Sequence, residues 1–181
     1  MKKFSVCDVE TGGLDPQKNA LVSVAIVLLD ENLEEISRHY TLVKDSPDKI
    51  IEQQALDVNK ITLEQIAKKG KPIEEVMVRV KELIDGTILV FHNGSFDSSF
   101  LNARGTNITT SIDTMDISWK RWPGKKAKLG LVVERLGFSI EGAHNSLYDA
   151  LMTAKILKKF NEDEKLNALR PYPINFARWS K

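Results

Sequence analysis

The chain has a single cysteine, Cys7, among its 181 residues. That excludes an internal disulfide and any zinc site built from several thiolates. Cys7 lies in an apolar run beside Asp8 and reads as a buried strand residue. Long hydrophobic runs are missing too: no stretch approaches the roughly 20 apolar residues that span a bilayer. The opening Met1-Lys2-Lys3-Phe4 is soon followed by Asp8 and Glu10, whereas a secretory leader needs an unbroken apolar core. A cytoplasmic protein is therefore expected. Charge of one sign is also lacking. The net charge is +1, from 26 basic and 25 acidic residues, so a polyanionic ligand would have to be held by a local patch or by metal ions rather than by an overall field. The sequence has no repeats and no low-complexity tract. What is present, 42% hydrophobic and 28% charged residues, is the make-up of one ordinary folded domain.

The apolar pattern predicts strands over Phe4 to Val9, Ala20 to Leu29 and Ile36 to Val43, the third antiparallel to the second. Helical texture follows Pro47. Ile50 to Leu56 is a short candidate, and Thr62-Leu63-Glu64-Gln65 has the form of a capping box. A helix begun at Pro72 would place Ile73, Val76, Val80, Leu83 and Ile84 on one face. Further elements are a strand Thr87 to Phe91, a short helix Ser98 to Ala103, a strand Ser111 to Asp113, a helix Leu129 to Leu136 and a long helix Asn145 to Phe160. Together they predict an α/β fold: a mixed five-stranded sheet, its first three strands antiparallel, flanked by helices. Residues 1–160 form the domain, and residues 161–181 an extension that packs on it or is partly mobile.

Carboxylates recur where chemistry is expected. Asp8 and Glu10 stand two apart at the end of an apolar strand, and so point to the same face. Two such charges repel unless a cation lies between them, and hard divalent cations prefer carboxylate oxygens. A solvated strand end is the alternative. Asp97 follows a later strand in His92-Asn93-Gly94-Ser95-Phe96-Asp97, at the kind of strand end where α/β sites collect; helix capping is the alternative. Asp149 falls in the first turns of the long helix, about 200° from Leu147 and from Leu151, where it could simply face solvent.

Taken in order, these segments resemble the DEDDh exonucleases, the superfamily of polymerase proofreading subunits, RNase T and oligoribonuclease. Asp8-Val9-Glu10-Thr11-Gly12-Gly13, Asn93-Gly94-Ser95-Phe96-Asp97 and His144-Asn145-Ser146-Leu147-Tyr148-Asp149 match its three motifs. Ile112-Asp113-Thr114 is similar to its Asp-Thr element, and Asn59 stands where the family often has histidine. The resemblance implies an RNase H-like fold and 3′→5′ hydrolysis of a terminal phosphodiester. It implies that Asp8, Glu10, Asp97 and Asp149 hold two divalent cations, Mg²⁺ with Mn²⁺ as a substitute. His144 would be the general base, a role that suits a side chain titrating near neutrality. Thr11, Gly12, Leu14, Ile61, Asn93 and Phe96 would meet the terminal nucleotide. DNA, single-stranded or frayed, is the expected substrate, and a DNA polymerase is the protein partner it suggests. An RNA or short-oligonucleotide exonuclease on the same carboxylates is the nearest rival. A non-catalytic nucleic-acid or polymerase-binding module is the rival of another class. Trp119 to Lys128 carries Lys120, Arg121, Lys125, Lys126 and Lys128, two tryptophans and no acid, a mixture suited to phosphates and stacked bases; a solvated loop is the alternative.

Overall fold

The computed structural model describes residues 2–139, 145–164 and 170–179. Among them are seven strands: β1 (Phe4–Thr11), β2 (Leu21–Leu29), β3 (Glu35–Lys44), β4 (Lys71–Pro72), β5 (Ile88–Phe91), β6 (Thr110–Asp113) and β7 (Tyr172–Pro173). The helices are α1 (Gln53–Asn59), α2 (Leu63–Lys69), α3 (Ile73–Ile84), α4 (Gly94–Asn102), α5 (Thr114–Arg121), α6 (Leu129–Arg135) and α7 (Ser146–Glu164), and the short 3₁₀ turn Phe176–Trp179 follows.

The strands form one sheet in the order β4-β3-β2-β1-β5-β6-β7. The expected five strands are present, with β1 to β3 antiparallel. The sheet has seven because β4 and β7, two residues each, extend its two edges. Segments of two residues carry no alternating pattern, so periodicity does not reveal them. β1 is central, antiparallel to β2 and parallel to β5. Both of its faces are covered, which is why it reads as a near-continuous apolar run. On one face Phe4 and Val6 pack with Ala150, Ala154 and Leu157 of α7. On the other, Cys7 and Val9 pack with Val76, Met77 and Val80 of α3 and with Phe100 and Leu101 of α4.

Several helix limits differ from the sequence reading. α2 begins at the expected capping box, with reciprocal Thr62 and Gln65 bonds. α1 runs three residues later than expected, and α4 begins at Gly94 rather than Ser98. α5 was not anticipated. Its buried stripe is Thr114 and Ser118, two small polar residues one turn apart, and such a stripe leaves no apolar signature. Trp119, Lys120 and Arg121 therefore stand on a helix rather than a loop.

A buried ion pair ties the turn after β1 to the body. Arg104 Nη2 lies 2.7 Å from Asp45 Oδ2, with each side chain 4% exposed. Its remaining hydrogen bonds go to the carbonyls of Pro16, Asn19 and Phe100, and Asp45 Oδ2 also accepts the Leu21 N–H. Removing one partner would strand a buried charge, at a typical cost of roughly 3–5 kcal/mol. Arg104→Ala should therefore lower the stability measured by urea unfolding by about that amount; a loss of only a few tenths of a kcal/mol would mean that the pair is dispensable.

Candidate active site

The parallel neighbours β1, β5 and β6 end on the same side of the sheet, and the acidic residues gather there. Asp8 and Glu10 follow Phe4 and Val6 on the face of β1 that meets α7. The contact between strand and helix is close because α7 presents small residues: Ser146, Ala150 and Thr153 are fully buried. Asp149 belongs to that stripe, three residues after Ser146 and four before Thr153. The angle from Leu147 and Leu151 is therefore no guide to Asp149, which faces the acids of β1. Both leucines pack only at the margin of the core. Among the described residues, Asp8, Glu10 and Asp149 form a group with one carboxylate oxygen from each within 4.8 Å of the others.

Asp97 reaches the same place from α4. Its Oδ1 accepts the Val9 N–H at 3.0 Å, so this carboxylate is held against the backbone between the two acids of β1. Asn93, not Asp97, occupies the helix N-cap position. A register shift in the β1–β2 pairing lies between Glu10 and Thr11, where Val22 is the extra residue of β2. Bulges of this kind bend a strand and re-aim its side chains beside sites.

The electrostatics follow from this crowding. Burial pushes the Asp8 carboxyl well above its usual range, and the charges of Asp97, Asp149 and Glu10 push it further. Burial, with Asp149 next, pushes Glu10 up to about 8. Burial likewise raises Asp97, against the opposing Val9 hydrogen bond. Cys7 beneath them is raised by burial and by Asp97 and Asp8, so it remains an inert thiol. Oxygen donors alone, converging and mutually repelling, fit hard divalent cations. The four carboxylates would hold them.

The remaining candidates are distributed unevenly. Thr11, Gly12 and Gly13 are buried. The glycines serve internal packing: a Cβ on Gly12 would lie 2.7 Å from the Ile50 carbonyl oxygen, and one on Gly13 would lie 2.4 Å from the Asn19 side chain. Leu14, in contrast, is 72% exposed beside them. Ile61 is buried in the small core formed with Ala20, Val22, Leu42, Leu56 and Ile66. Asn59, next to it, donates to the Thr11 carbonyl and accepts the Ile61 N–H. Phe96 is half-buried, its ring 5.1 Å from that of Phe100. His144 lies outside the described residues. A groove of about 470 Å³ opens elsewhere, near the starts of β5 and β6, and none of these residues lines it.

The sequence reading gives no site role to Asp113, named there only within the Asp-Thr element, nor to His92, Asn19 or Arg104. Asp113 accepts the N–H groups of Asn93, Gly94 and Met115, and so fixes the start of α4. Its place before Thr114 at the end of a strand was the available signal. Asn19 bonds Glu52 Oε1 and the Asp15 N–H, and with Arg104 it shapes the turn bearing Leu14. Neither of these lies in a recognisable local pattern. His92 is buried, with Nε2 2.7 Å from the Ala127 carbonyl. A carbonyl only accepts, so Nε2 carries the proton and Nδ1 faces the Thr114 hydroxyl at 2.8 Å. Burial lowers its pKa, in keeping with a neutral structural residue. In the basic segment, Arg121 is engaged with Asp163, Trp122 and Phe160, while Lys125, Lys126 and Lys128 are exposed.

Residues 5–157 match the family described as exonuclease. The chain belongs to that family. The exonuclease domain is 30% identical, over 165 residues, to the PolC-type DNA polymerase III of Thermotoga petrophila, an alignment that covers 88% of this chain but 12% of that protein. It thus spans about an eighth of the length of that curated relative. Exonuclease X, solved with 5′-overhanging duplex DNA, superposes with a TM-score of 0.73 at 27% identity, covering 91% of this chain and 93% of the other. Escherichia coli Exonuclease I, solved with a dA16 oligonucleotide, gives a TM-score of 0.81 at 17% identity over 91% of this chain and 42% of that one, a likeness of fold. The DEDDh resemblance read from the motifs therefore holds, as does the RNase H-like class. Among the described residues no helix is long and apolar enough to cross a membrane.

The raised carboxylates give the exonuclease domain a testable pH response. Glu10 ionises at its ordinary value near 4.5 when the chain is unfolded and only near 8 when it is folded. Between those values the folded state binds more protons, so stability falls as pH rises. In excess EDTA, the melting temperature should decline from about pH 5 to about pH 8, and added Mg²⁺ or Mn²⁺ should restore most of it at the alkaline end. A flat profile without metal would show that the acids do not repel as described.

Proposed function

We propose that the protein is a 3′→5′ exonuclease that removes nucleoside 5′-monophosphates from the end of DNA, preferring single-stranded or frayed termini. The observation that carries this reading is the convergence of Asp8, Glu10 and Asp149 oxygens within 4.8 Å, with Asp97 bonded to the intervening backbone. The DNA in the Exonuclease X structure and the polymerase relatives support DNA as the substrate class. A polymerase is then the partner to seek.

In this reading Asp8, Glu10, Asp97 and Asp149 hold two divalent cations, Mg²⁺ by preference. Bound there, such cations neutralise phosphate charge and acidify water. Leu14, exposed on a turn that Arg104 and Asn19 hold in place, offers an apolar surface to the terminal base, and the Thr11 backbone approaches the same nucleotide. Asn93 and the half-buried Phe96 border it. Gly12 and Ile61 support this surface from within: one lets the chain pack on Ile50, the other fills the core beneath. His144 takes the proton of the attacking water. Lys125, Lys126 and Lys128 attract the phosphates of the trailing strand.

The deciding comparison uses DNA and RNA oligonucleotides labelled at either end, in Mg²⁺. Labelled mononucleotide should appear at once from the 3′-labelled DNA, whereas 5′-labelled DNA should shorten stepwise. Asp149→Ala or excess EDTA should abolish both. Release from the 5′ end, or faster loss of RNA, would replace the reading. For the base, His144→Ala should reduce kcat at neutral pH by about 10²–10⁴-fold while leaving oligonucleotide affinity nearly intact; near-normal turnover would remove His144 from the chemistry.

A further inference from the structure

The Asp113 carboxylate that holds the start of α4 is itself braced by a residue far along the chain. β7 pairs with β6, setting Tyr172 opposite Ser111, two residues before Asp113. The Tyr172 hydroxyl accepts the Asp113 N–H at 3.2 Å. It lies 3.1 Å from Asp116 Oδ2 and 3.3 Å from the Asp113 carbonyl oxygen, and its single proton goes to one of these acceptors. The charged carboxylate is the stronger of the two. Burial, with Asp116 and Asp113 adding to it, pushes the phenol up, so it stays protonated and able to donate.

Asp113 passes this bracing on. Its carboxylate takes the Asn93 N–H at 2.9 Å, the Gly94 N–H at 3.0 Å and the Met115 N–H at 2.9 Å. Asn93 has φ +79°, a left-handed conformation that a non-glycine residue keeps only where its surroundings hold it. Gly94 is equally confined: a Cβ there would lie 3.1 Å from Phe91 and 3.2 Å from the Ser111 hydroxyl. Asp97 sits one turn further, on the Val9 N–H. An unbroken chain of bonds thus runs from the C-terminal segment to a carboxylate of the candidate active site.

We propose that Tyr172 is a positioning residue: its hydroxyl, set between the Asp113 backbone and the Asp116 carboxylate, fixes the first turn of α4 and through it the placement of Asp97. The proposal rests on the exonuclease reading of the site for its catalytic consequence, though not for the clamp itself. Tyr172→Phe keeps the ring and removes only the hydroxyl, so the fold should persist. Kinetics on a 3′-labelled oligonucleotide should show kcat reduced by about fivefold, the worth of one hydrogen bond, with KM unchanged. Amide hydrogen exchange followed by NMR should quicken at Asn93, Gly94 and Met115, while β1 and β2 keep their protection and the melting temperature barely moves. An unchanged kcat with unchanged amides would overturn the proposal. So would a loss of activity that follows a general fall in melting temperature and protection. If the unsubstituted protein degrades no nucleic acid, the exonuclease reading fails by itself and the amides decide the clamp: faster exchange confined to those three residues supports it, and uniform exchange overturns it.

Discussion

The repulsion among Asp8, Glu10, Asp97 and Asp149 is the constraint around which the rest of the chain is arranged. Charges brought this close out of water oppose folding, so every element that carries one has to be held from elsewhere. The strand carrying Asp8 and Glu10 is hydrogen-bonded on both sides. α7, carrying Asp149, is pressed to the sheet by Ala150, Ala154 and Leu157, and α4, carrying Asp97, is packed through Phe100 and Leu101. The apolar core supplies the stability, and the site uses part of it. A cation bound among them would return what the acids cost, which would make ligand binding and folding two parts of one equilibrium.

The chemistry was more legible in the sequence than the scaffold around it. Asp8 and Glu10 could be paired by counting alone, because strand alternation is rigid. Asp149 could be matched by its motif but not by its helical position. The buried stripe there is built from Ser146, Ala150 and Thr153, which carry too little hydrophobic area to mark a face. The same limit hid α5, whose inward residues are Thr114 and Ser118. The edge strands escaped because a pair such as Lys71–Pro72 or Tyr172–Pro173 becomes a strand only when a neighbour supplies its partners. Arg104 and Asp45 stand 59 residues apart, so their pairing belongs to the fold and not to any local pattern.

Asn59 and the glycine pair show how a residue can be conspicuous for one reason and serve another. Gly12 and Gly13 look like concessions to a ligand, yet their missing side chains make room for Ile50 and Asn19 of the protein itself. Asn59, conspicuous in the sequence only through the family resemblance, links the Thr11 carbonyl to the Ile61 amide. In each case the backbone leading to Leu14 is set from the inside, which leaves its apolar side chain outside on a turn that does not need it for packing.

The central position of β1 also decides how the acids can move. The strand is bonded to β2 along its whole length but to β5 only through Phe4, Ser5 and Val6, so its paired end anchors it while Asp8 and Glu10 stand where its second edge is left to the site. Asp97 and Asp149 stand in the first turns of their helices, the part of a helix most prone to fray. One half of the constellation is therefore carried on a strand whose other end is locked between two neighbours. The other half depends on helix starts, and so on the bonds that hold them, such as those the Asn93 and Gly94 N–H groups donate to Asp113.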